Sequence, residues 1–448
     1  MKIIITGTYA IGSHLTKLLA RNNEDITLID NDEERLDKIA NELDVLTIHA
    51  EPNDIAKMKE AGTDKADLYI AVTPDENTNI TCCAMAKALG AKRTVAKVDH
   101  AEFLQDDEMQ SVFTKIGIDS LIYPEMLAAK DIINGLKMSW VRQRWDVHNG
   151  ALVMLGIKLR EECTILDKPL KDLCGPDDPY HVVAIKRGND TIIPGGNDCL
   201  KLDDIAYFMT MKQYIPYIRT IVGKERYVDV QNVMIMGGGN TAVRAVKTLP
   251  EYMRAKVFET NEERCEELNE LIDDDRIMVI HGDGRDIDLL TEEGIGSTQA
   301  FVALTTNAET NILACLTAKR LGIRKTVAMV ENMDYVSMAE SLDIGTIINK
   351  KAIAASHIYQ MLLDDNVSNV RFLTIANANV AEFVAQKGSK VTKKKVFELG
   401  LPKGVTLGGL VRKGKGILIS GSTQIEADDS VMVFCLETNM KKIEQLFN

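Results

Sequence analysis

Along the first part of the chain, short apolar runs alternate with stretches whose apolar residues recur every three or four positions. The runs "KIIIT", "DITLID", "VLTIHA" and "LYIAVT" are separated by a helical stretch from Gly12 to Arg21, a second around Asp32 to Glu42, and a third before "LYIAVT". Strands divided by helices of that length predict a parallel sheet with crossover helices, a doubly wound α/β domain. The pattern then changes. Beyond position 139 apolar runs follow one another with turn signals at "RGND" and "PGGND" between them, and only one or two short helices are predicted. That is a small α+β domain of about 80 residues.

The two patterns recur in the same order. "IITGTYAIGSHLTKLL" from Ile4 is answered by "MIMGGGNTAVRAVKTL" from Met234, and "VTPDENTNITCCAMAKALGAKRTVAKV" from Val72 by "LTTNAETNILACLTAKRLGIRKTVAMV" from Leu304. In the strand-rich part "LKDL", "VVAIKRG", "IIPGG" and "LDDIAYF" are answered by "VFEL", "GGLVRKG", "LISGS" and "ADDSVMVF". A duplication therefore organises the chain. The fold class expected is α/β, with two Rossmann-like doubly wound parallel-sheet domains (1–138 and 226–366), each followed by a small α+β domain (139–225 and 367–448). The junction "GLKMSWVRQRWDVHNG" holds both tryptophans, Trp140 and Trp145, as a helix end and strand start packed between domains. The run Lys393 to Lys395 reads as a solvated face.

Composition narrows the function classes. At 448 residues with 45% hydrophobic and 27% charged positions, the chain is globular and long enough for several cores. Its net charge of -13 repels polyphosphate backbones, so nucleic acid is not expected as a partner. No run of about 18 uncharged apolar residues suggests a bilayer span, and "MKIIITG" leads directly into a strand rather than a signal peptide; a cytoplasmic protein is expected. The eight cysteines are scattered without a C-x-x-C pair, which suits reduced core thiols and points to no metal site.

The chemistry lies in the turns after the first strand of each α/β module. "GGGNTA", comprising Gly237, Gly238, Gly239, Asn240, Thr241 and Ala242, fits G-x-G-x-x-G/A between a strand and an amphipathic helix. Gly237 permits the tight turn, Gly239 lets a pyrophosphate reach the backbone, and Ala242 lets the helix lie close to the sheet. The helix start offers free amides and positive partial charge. Glu259, ending "KVFE", stands where a carboxylate takes ribose hydroxyls and disfavours a 2'-phosphate. In the first half the turn is Gly7, Thr8, Tyr9, Ala10, Ile11 and Gly12, with Asp30 as the acid. Tyr9 replaces the close-approach glycine and is expected to block a pyrophosphate unless its ring swings outward. Gly282 and Asp283 of "HGDG", Thr305 and Thr306 of "TTN", and in the first half Glu51, Thr73 and Pro74 lie on the same ligand-binding rim, although Asp283 also reads as a helix cap.

This ordered set, doubled and interleaved with a strand-rich module, resembles the TrkA family of potassium-uptake regulatory subunits, with tandem RCK (KTN) domains, over nearly the whole chain. The resemblance implies that each α/β module binds NAD(H), or an adenine nucleotide such as ATP or ADP. It also implies a homo-oligomer at the inner face of the cell membrane that gates a Trk-type potassium channel or transporter subunit. The family positions carried over are Gly7, Gly12 and Asp30 in the first site and Gly237, Gly239 and Glu259 in the second. Lys97 matches a basic position that reaches a phosphate; Met329 is its counterpart, and Glu51 with Pro52 breaks the glycine-aspartate turn of the first half. The rival class is an NAD-dependent dehydrogenase with duplicated nucleotide-binding domains. It would need a general acid or base beside the nicotinamide, and beyond the junction segment the strand-rich modules offer only His181. No catalytic residue is expected. A nucleotide-sensing transcription regulator is a weaker reading, because neither a helix-turn-helix nor a basic patch is expected from the sequence.

Overall fold

The computed structural model describes residues 1–20, 24–104, 107–173, 178–188, 190–362, 367–373, 378–436 and 440–447. Arg21 and Cys174 of the sequence reading lie outside them. The first sheet comprises β1 (Lys2–Thr6), β2 (Asp25–Asp30), β3 (Leu46–His49), β4 (Leu68–Ala71), β5 (Arg93–Lys97) and β6 (Ser120–Ile122). All neighbours are parallel, in the order β3-β2-β1-β4-β5-β6. Ile3, Ile4 and Ile5 are wholly buried, as a strand covered by helices on both faces requires. The strand order reverses between β1 and β4, where a doubly wound sheet opens a crevice at the carboxyl ends of its strands.

The next strands, β7 (Gln143–Val147), β8 (Leu152–Lys158), β9 (Tyr180–Arg187), β10 (Asp190–Ile192) and β11 (Ile205–Thr210), form an antiparallel sheet in the order β10-β9-β11-β8-β7. The parallel arrangement then returns with β12 (Asn232–Met236), β13 (Arg254–Glu259), β14 (Ile277–His281), β15 (Ala300–Ala303), β16 (Lys325–Met329) and β17 (Thr346–Ile348), ordered β14-β13-β12-β15-β16-β17. A second antiparallel sheet follows, of β18 (Val367–Leu373), β19 (Ala378–Val384), β20 (Val405–Arg412), β21 (Lys415–Leu418) and β22 (Ser430–Leu436), ordered β18-β19-β22-β20-β21. The α/β class with two Rossmann-like sheets and two small α+β parts, expected from the alternation of patterns, is the one observed.

The chain divides into two compact units. One is Met1–Leu127 with Lys350–Leu363, and the other is Ala128–Asn349 with Asp364–Asn448. In the first unit the helix Lys350–Leu362, which follows the last strand of the second parallel sheet, packs against the helix Ala10–Ala20 of the first sheet. Lys350 Nζ meets Glu125 at 3.1 Å, and Arg93 donates to the Met361 carbonyl. A segment of the second half of the sequence thus completes the first domain.

Within the second unit the two small sheets share a core. Val183 and Tyr207 of the first sheet cluster with Val380, Val411, Met432 and Phe434 of the second. A Cβ on Gly408 would lie 2.8 Å from the Val183 side chain and 2.7 Å from Phe434, so only hydrogen fits where β20 crosses. The two tryptophans, expected together at one junction, separate: Trp140 lies in the core of the first small domain, and Trp145 packs on the shared cluster. The described cysteines are free thiols; Cys82, Cys83, Cys163, Cys265, Cys315 and Cys435 are buried, whereas Cys199 is partly exposed.

The second unit also carries a half-buried acid. Burial pushes the Glu340 carboxyl up to about 7 against the opposing charges of Lys186, Lys158 and Arg142. Its Oε1 is buried without a hydrogen-bond partner. A carboxyl raised above its unfolded value of 4.5 costs nothing at low pH and penalises folding increasingly as pH rises from about 4.5 to about 7. Glu340→Gln should therefore raise Tm at pH 8 by about 2–4 °C, corresponding to about 1 kcal/mol after allowance for solvent screening, and leave Tm at pH 4.5 unchanged. Calorimetry at the two pH values checks this; an equal change at both would mean that the Glu340 charge is not the cause.

Candidate functional site

Each parallel sheet delivers its first strand into a turn whose positive φ favours glycine. Gly7 has φ +95°, and a Cβ there would lie 2.7 Å from the Thr73 amide nitrogen; Gly237 has φ +101° and would place one 3.1 Å from the Thr305 nitrogen. The turns are tied to the adjacent strand alike, Gly7 donating to the Ile29 carbonyl at 3.0 Å and Gly237 to that of Phe258 at 2.8 Å. The helix that follows begins at Ala10 in one half and Asn240 in the other. Ile11, Gly12, Thr241 and Ala242 are buried behind the turn. Asn240 is exposed and Ala10 partly so.

The acids at the ends of β2 and β13 reach these turns but are engaged differently. Asp30 is 6% exposed; its Oδ2 accepts from both the backbone and the hydroxyl of Thr8, and its Oδ1 from the Asp32 amide. Glu259 is more open. Its Oε2 accepts from Gly238 N at 2.8 Å and its Oε1 from Asn261 N at 2.9 Å. Burial works against its ionisation, but the amides of Asn261, Gly238 and Thr260 outweigh it and hold the carboxyl below its ordinary value. Glu259 is therefore an anion at neutral pH, with acceptor capacity left over.

Tyr9 and Gly239 occupy the same place in the two turns. Nothing lies within 4 Å of a Cβ built on Gly239, which caps its helix with no side-chain hydrogen bond. The Tyr9 ring is 57% exposed, with the Arg35 guanidinium 5.2 Å from its centroid. Arg35 has a counterpart in Arg264, whose Nε donates to the Gly238 carbonyl at 3.0 Å. Each arginine gives its amide to the residue capping its helix, Asp32 or Asn261. The sequence reading passed over both, although "DNDEER" and "ETNEER" repeat the acid, the cap and the arginine at one spacing.

The outer rim is built by a device the sequence reading also missed. Asn79, wholly buried, accepts from Thr73 N and Oγ1 and donates to the carbonyls of Thr73 and Lys97. Asn311 does the same for Thr305 and Met329. Each amide thus ties together the ends of two adjacent strands beside the crevice. Pro74 and Thr306 are exposed on that rim, and Lys97 Nζ pairs with Asp99 at 2.7 Å. Glu51 receives a 3.3 Å contact from Asn31, while Gly282 donates to the Glu259 carbonyl at 2.8 Å. The capping alternative for Asp283 is corrected: Asp286 caps the helix Ile287–Glu292, and the Asp283 carboxylate pairs with Arg285, whose hydrogen bonds hold it below its usual value. The helix begins three residues later than that reading assumed.

The histidines are held in structural contacts. His49 and His281 meet the carbonyls of Asn31 and Thr260, both at 3.1 Å, and burial pushes His181 down. His148 bonds Glu382, which also accepts from Ser430. The carboxylate lies between imidazole and hydroxyl, an order that does not activate the serine as a nucleophile.

Two glycine turns, each closed by an acid and opening on the crevice of a parallel sheet, define a protein with tandem Rossmann-type domains, each followed in sequence by a small antiparallel one. Residues 3–124 and 233–350 match the TrkA-N domain and residues 380–448 the TrkA-C domain. The chain belongs to the TrkA family of Trk system potassium uptake proteins. It is 30% identical to the Trk system potassium uptake protein TrkA of Halomonas elongata over 457 residues and 28% identical to that of Azorhizobium caulinodans over 455, in both cases covering 100% of this chain and 98% of the relative. Among solved structures, the GsuK RCK domain aligns with 100% of this chain and 94% of its own at TM-score 0.63 and 13% identity. A GsuK channel bound to NAD aligns with 100% of this chain and 78% of its own at TM-score 0.62 and 13% identity. These two likenesses concern the fold. No helix among the described residues is long and apolar enough to cross a membrane.

Proposed function

We propose that the chain is a non-catalytic regulatory subunit, cytoplasmic and peripheral at the membrane, that binds NAD(H) at its glycine turns and gates a Trk-type potassium channel or transporter. The open approach over Gly239, beside an ionised Glu259, carries this reading. The relatives' name as potassium uptake proteins supports the transport role, and a channel of the same fold that holds NAD supports the cofactor. The modules 1–138, 139–225, 226–366 and 367–448 work together, with the helix Lys350–Leu362 of the third seated in the first, and the chain acts as a homo-oligomer. A ligand acts only through its difference in affinity between two arrangements of these modules.

The sites are unequal in this reading. The second takes the dinucleotide: Gly237, Gly238, Gly239, Asn240 and Thr241 meet the pyrophosphate, Glu259 holds ribose hydroxyls, and Gly282, Asp283, Thr305 and Thr306 border the rest. In the first, Gly7, Thr8, Tyr9, Ala10, Ile11 and Gly12 form the turn, and Asp30 is largely consumed by Thr8. With Glu51, Thr73, Pro74 and Lys97 on its rim, this site suits ATP or ADP in a shifted pose better than a dinucleotide.

Glu259→Ala should weaken NADH at the second site by about 1.5–3 kcal/mol, the range for a hydrogen bond to a charged group. NADPH should bind the unaltered protein more weakly than NADH. Calorimetric titration reads both; equal affinity for the two cofactors would show that the acid does not face the ribose. Capture of a polytopic potassium-transport subunit from membranes, with flux measured with and without NADH, tests the regulatory role, and flux indifferent to the chain would refute it.

A further inference from the structure

At the edge of the second parallel sheet opposite its glycine turn, where β16 and β17 begin, lies a cavity of about 240 Å³ partly open to solvent. Seven cationic side chains line it, with no carboxylate among the described lining residues. Two nearby acids pair with four of them, and the raised Glu340 carboxyl faces two of the same four, Lys158 and Arg142. Asp343 pairs with Arg142, Arg160 and Lys319 at once, and Asp203 meets Arg160 at 2.6 Å and Lys158 at 3.6 Å. Neither acid reaches Lys224, Arg324 or Lys325.

These three are held by neutral groups. Lys325 Nζ donates to the Val141 carbonyl at 2.6 Å and to Thr346 Oγ1 at 3.1 Å. Lys224 Nζ and the Arg324 guanidinium lie 4.9 and 5.5 Å from the centre of the Tyr227 ring. Lys224 and Lys325 are each only 3% exposed. The wall also holds Ser139, 7% exposed, whose Oγ is buried without a hydrogen-bond partner. Buried cations without counter-charge are costly, and an unpaired buried hydroxyl adds to the cost. In a chain of net charge -13, their convergence on one cavity is not a consequence of composition.

We propose that this cavity binds a small polyanion carrying two or more phosphate groups, at a site separate from the glycine turns. Arginine forks and lysine point charges are the groups that recognise phosphate oxygens, and Ser139 Oγ offers one further donor. The charge left over after Asp343, Asp203 and Glu340, carried by Lys224, Arg324 and Lys325, calls for a multiply charged ligand, and the volume exceeds that of a single phosphate group. Burial, with the Arg142 charge adding to it, lowers the Lys325 ammonium to about 7; a bound anion would restore its proton.

The test is calorimetric titration of the full chain and of its Arg324→Ala variant at fixed potassium chloride, using inorganic pyrophosphate, ATP and citrate in turn, with only the binding that the variant loses assigned to the cavity. Saturable pyrophosphate binding is expected, weakened at least about tenfold by Arg324→Ala, the loss of one charge-assisted contact. Arg324 is exposed, so its replacement leaves the fold intact; Lys325→Met, which also removes the donor to Val141, serves as the second variant, with Tm recorded beside it. In the binding that depends on Arg324, parity of ATP with pyrophosphate assigns recognition to the phosphates alone, and much tighter ATP binding assigns it to a nucleotide. The proposal is overturned if neither phosphate ligand binds, if citrate binds in their place, or if both variants bind like the parent.

Discussion

Gly12→Ala is expected to destabilise the first unit by more than about 3 kcal/mol, whereas Ala242→Gly, at the matching place in the second half, should cost about 1 kcal/mol. A Cβ on Gly12 would stand 1.8 Å from the Gly7 carbonyl oxygen and 3.4 Å from a Val72 methyl. The first of these atoms is backbone, in a turn whose φ only glycine adopts comfortably. The helix Ala10–Ala20 would have to retreat from the sheet, breaking its packing on the helix Lys350–Leu362 as well. In the second half a methyl is already accommodated, with Ala242 1% exposed, so removing it costs only helix propensity and a small void. Thermal unfolding combined with limited proteolysis would locate the damage. A Gly12→Ala protein with unaltered Tm would show that the two helices sit equally far from their turns.

Gly239→Ala should leave Tm within about 2 °C of the parent and weaken NADH binding at the second site at least about 30-fold, roughly 2 kcal/mol. The backbone there has φ -69° and ψ 176°, which alanine adopts without strain, and the built Cβ meets no protein atom within 4 Å. Loss of binding without loss of stability would then have one physical origin, a methyl group in the space a pyrophosphate must enter. Gly237→Ala is the contrasting change, because its φ of +101° makes the turn itself fail. Titration of the two variants with NADH separates the cases. Unchanged affinity in Gly239→Ala would mean that no pyrophosphate crosses this turn.

The parallel sheets, the antiparallel ones and the family were legible in the sequence because they rest on local, repeated patterns. Apolar runs such as "KIIIT" can be buried on both sides only in a covered sheet, and glycines at fixed spacing announce a turn of positive φ. The acids Asp30 and Glu259 were legible through their distance from those glycines. Their difference was not, since it depends on whether Thr8 or Gly238 faces the carboxylate, and an extra hydroxyl beside Asp30 has no signature in spacing. Arg35 and Arg264 stood in the repeat but pointed to nothing until the turn was placed under them.

The order of strands and helices, the duplication, the glycine turns and the family depend on neighbours a few residues apart or on self-similarity, and so could be read along the chain. Tertiary structure alone decided that the helix Lys350–Leu362 completes the first domain, that Asn79 and Asn311 tie the rim, and that His148 meets Glu382. It also gathered cations from Arg142 to Lys325 around one cavity. An amphipathic face specifies that it must be buried, not against which element. A charged side chain likewise carries no record of which distant residues will share its surroundings once the chain has closed.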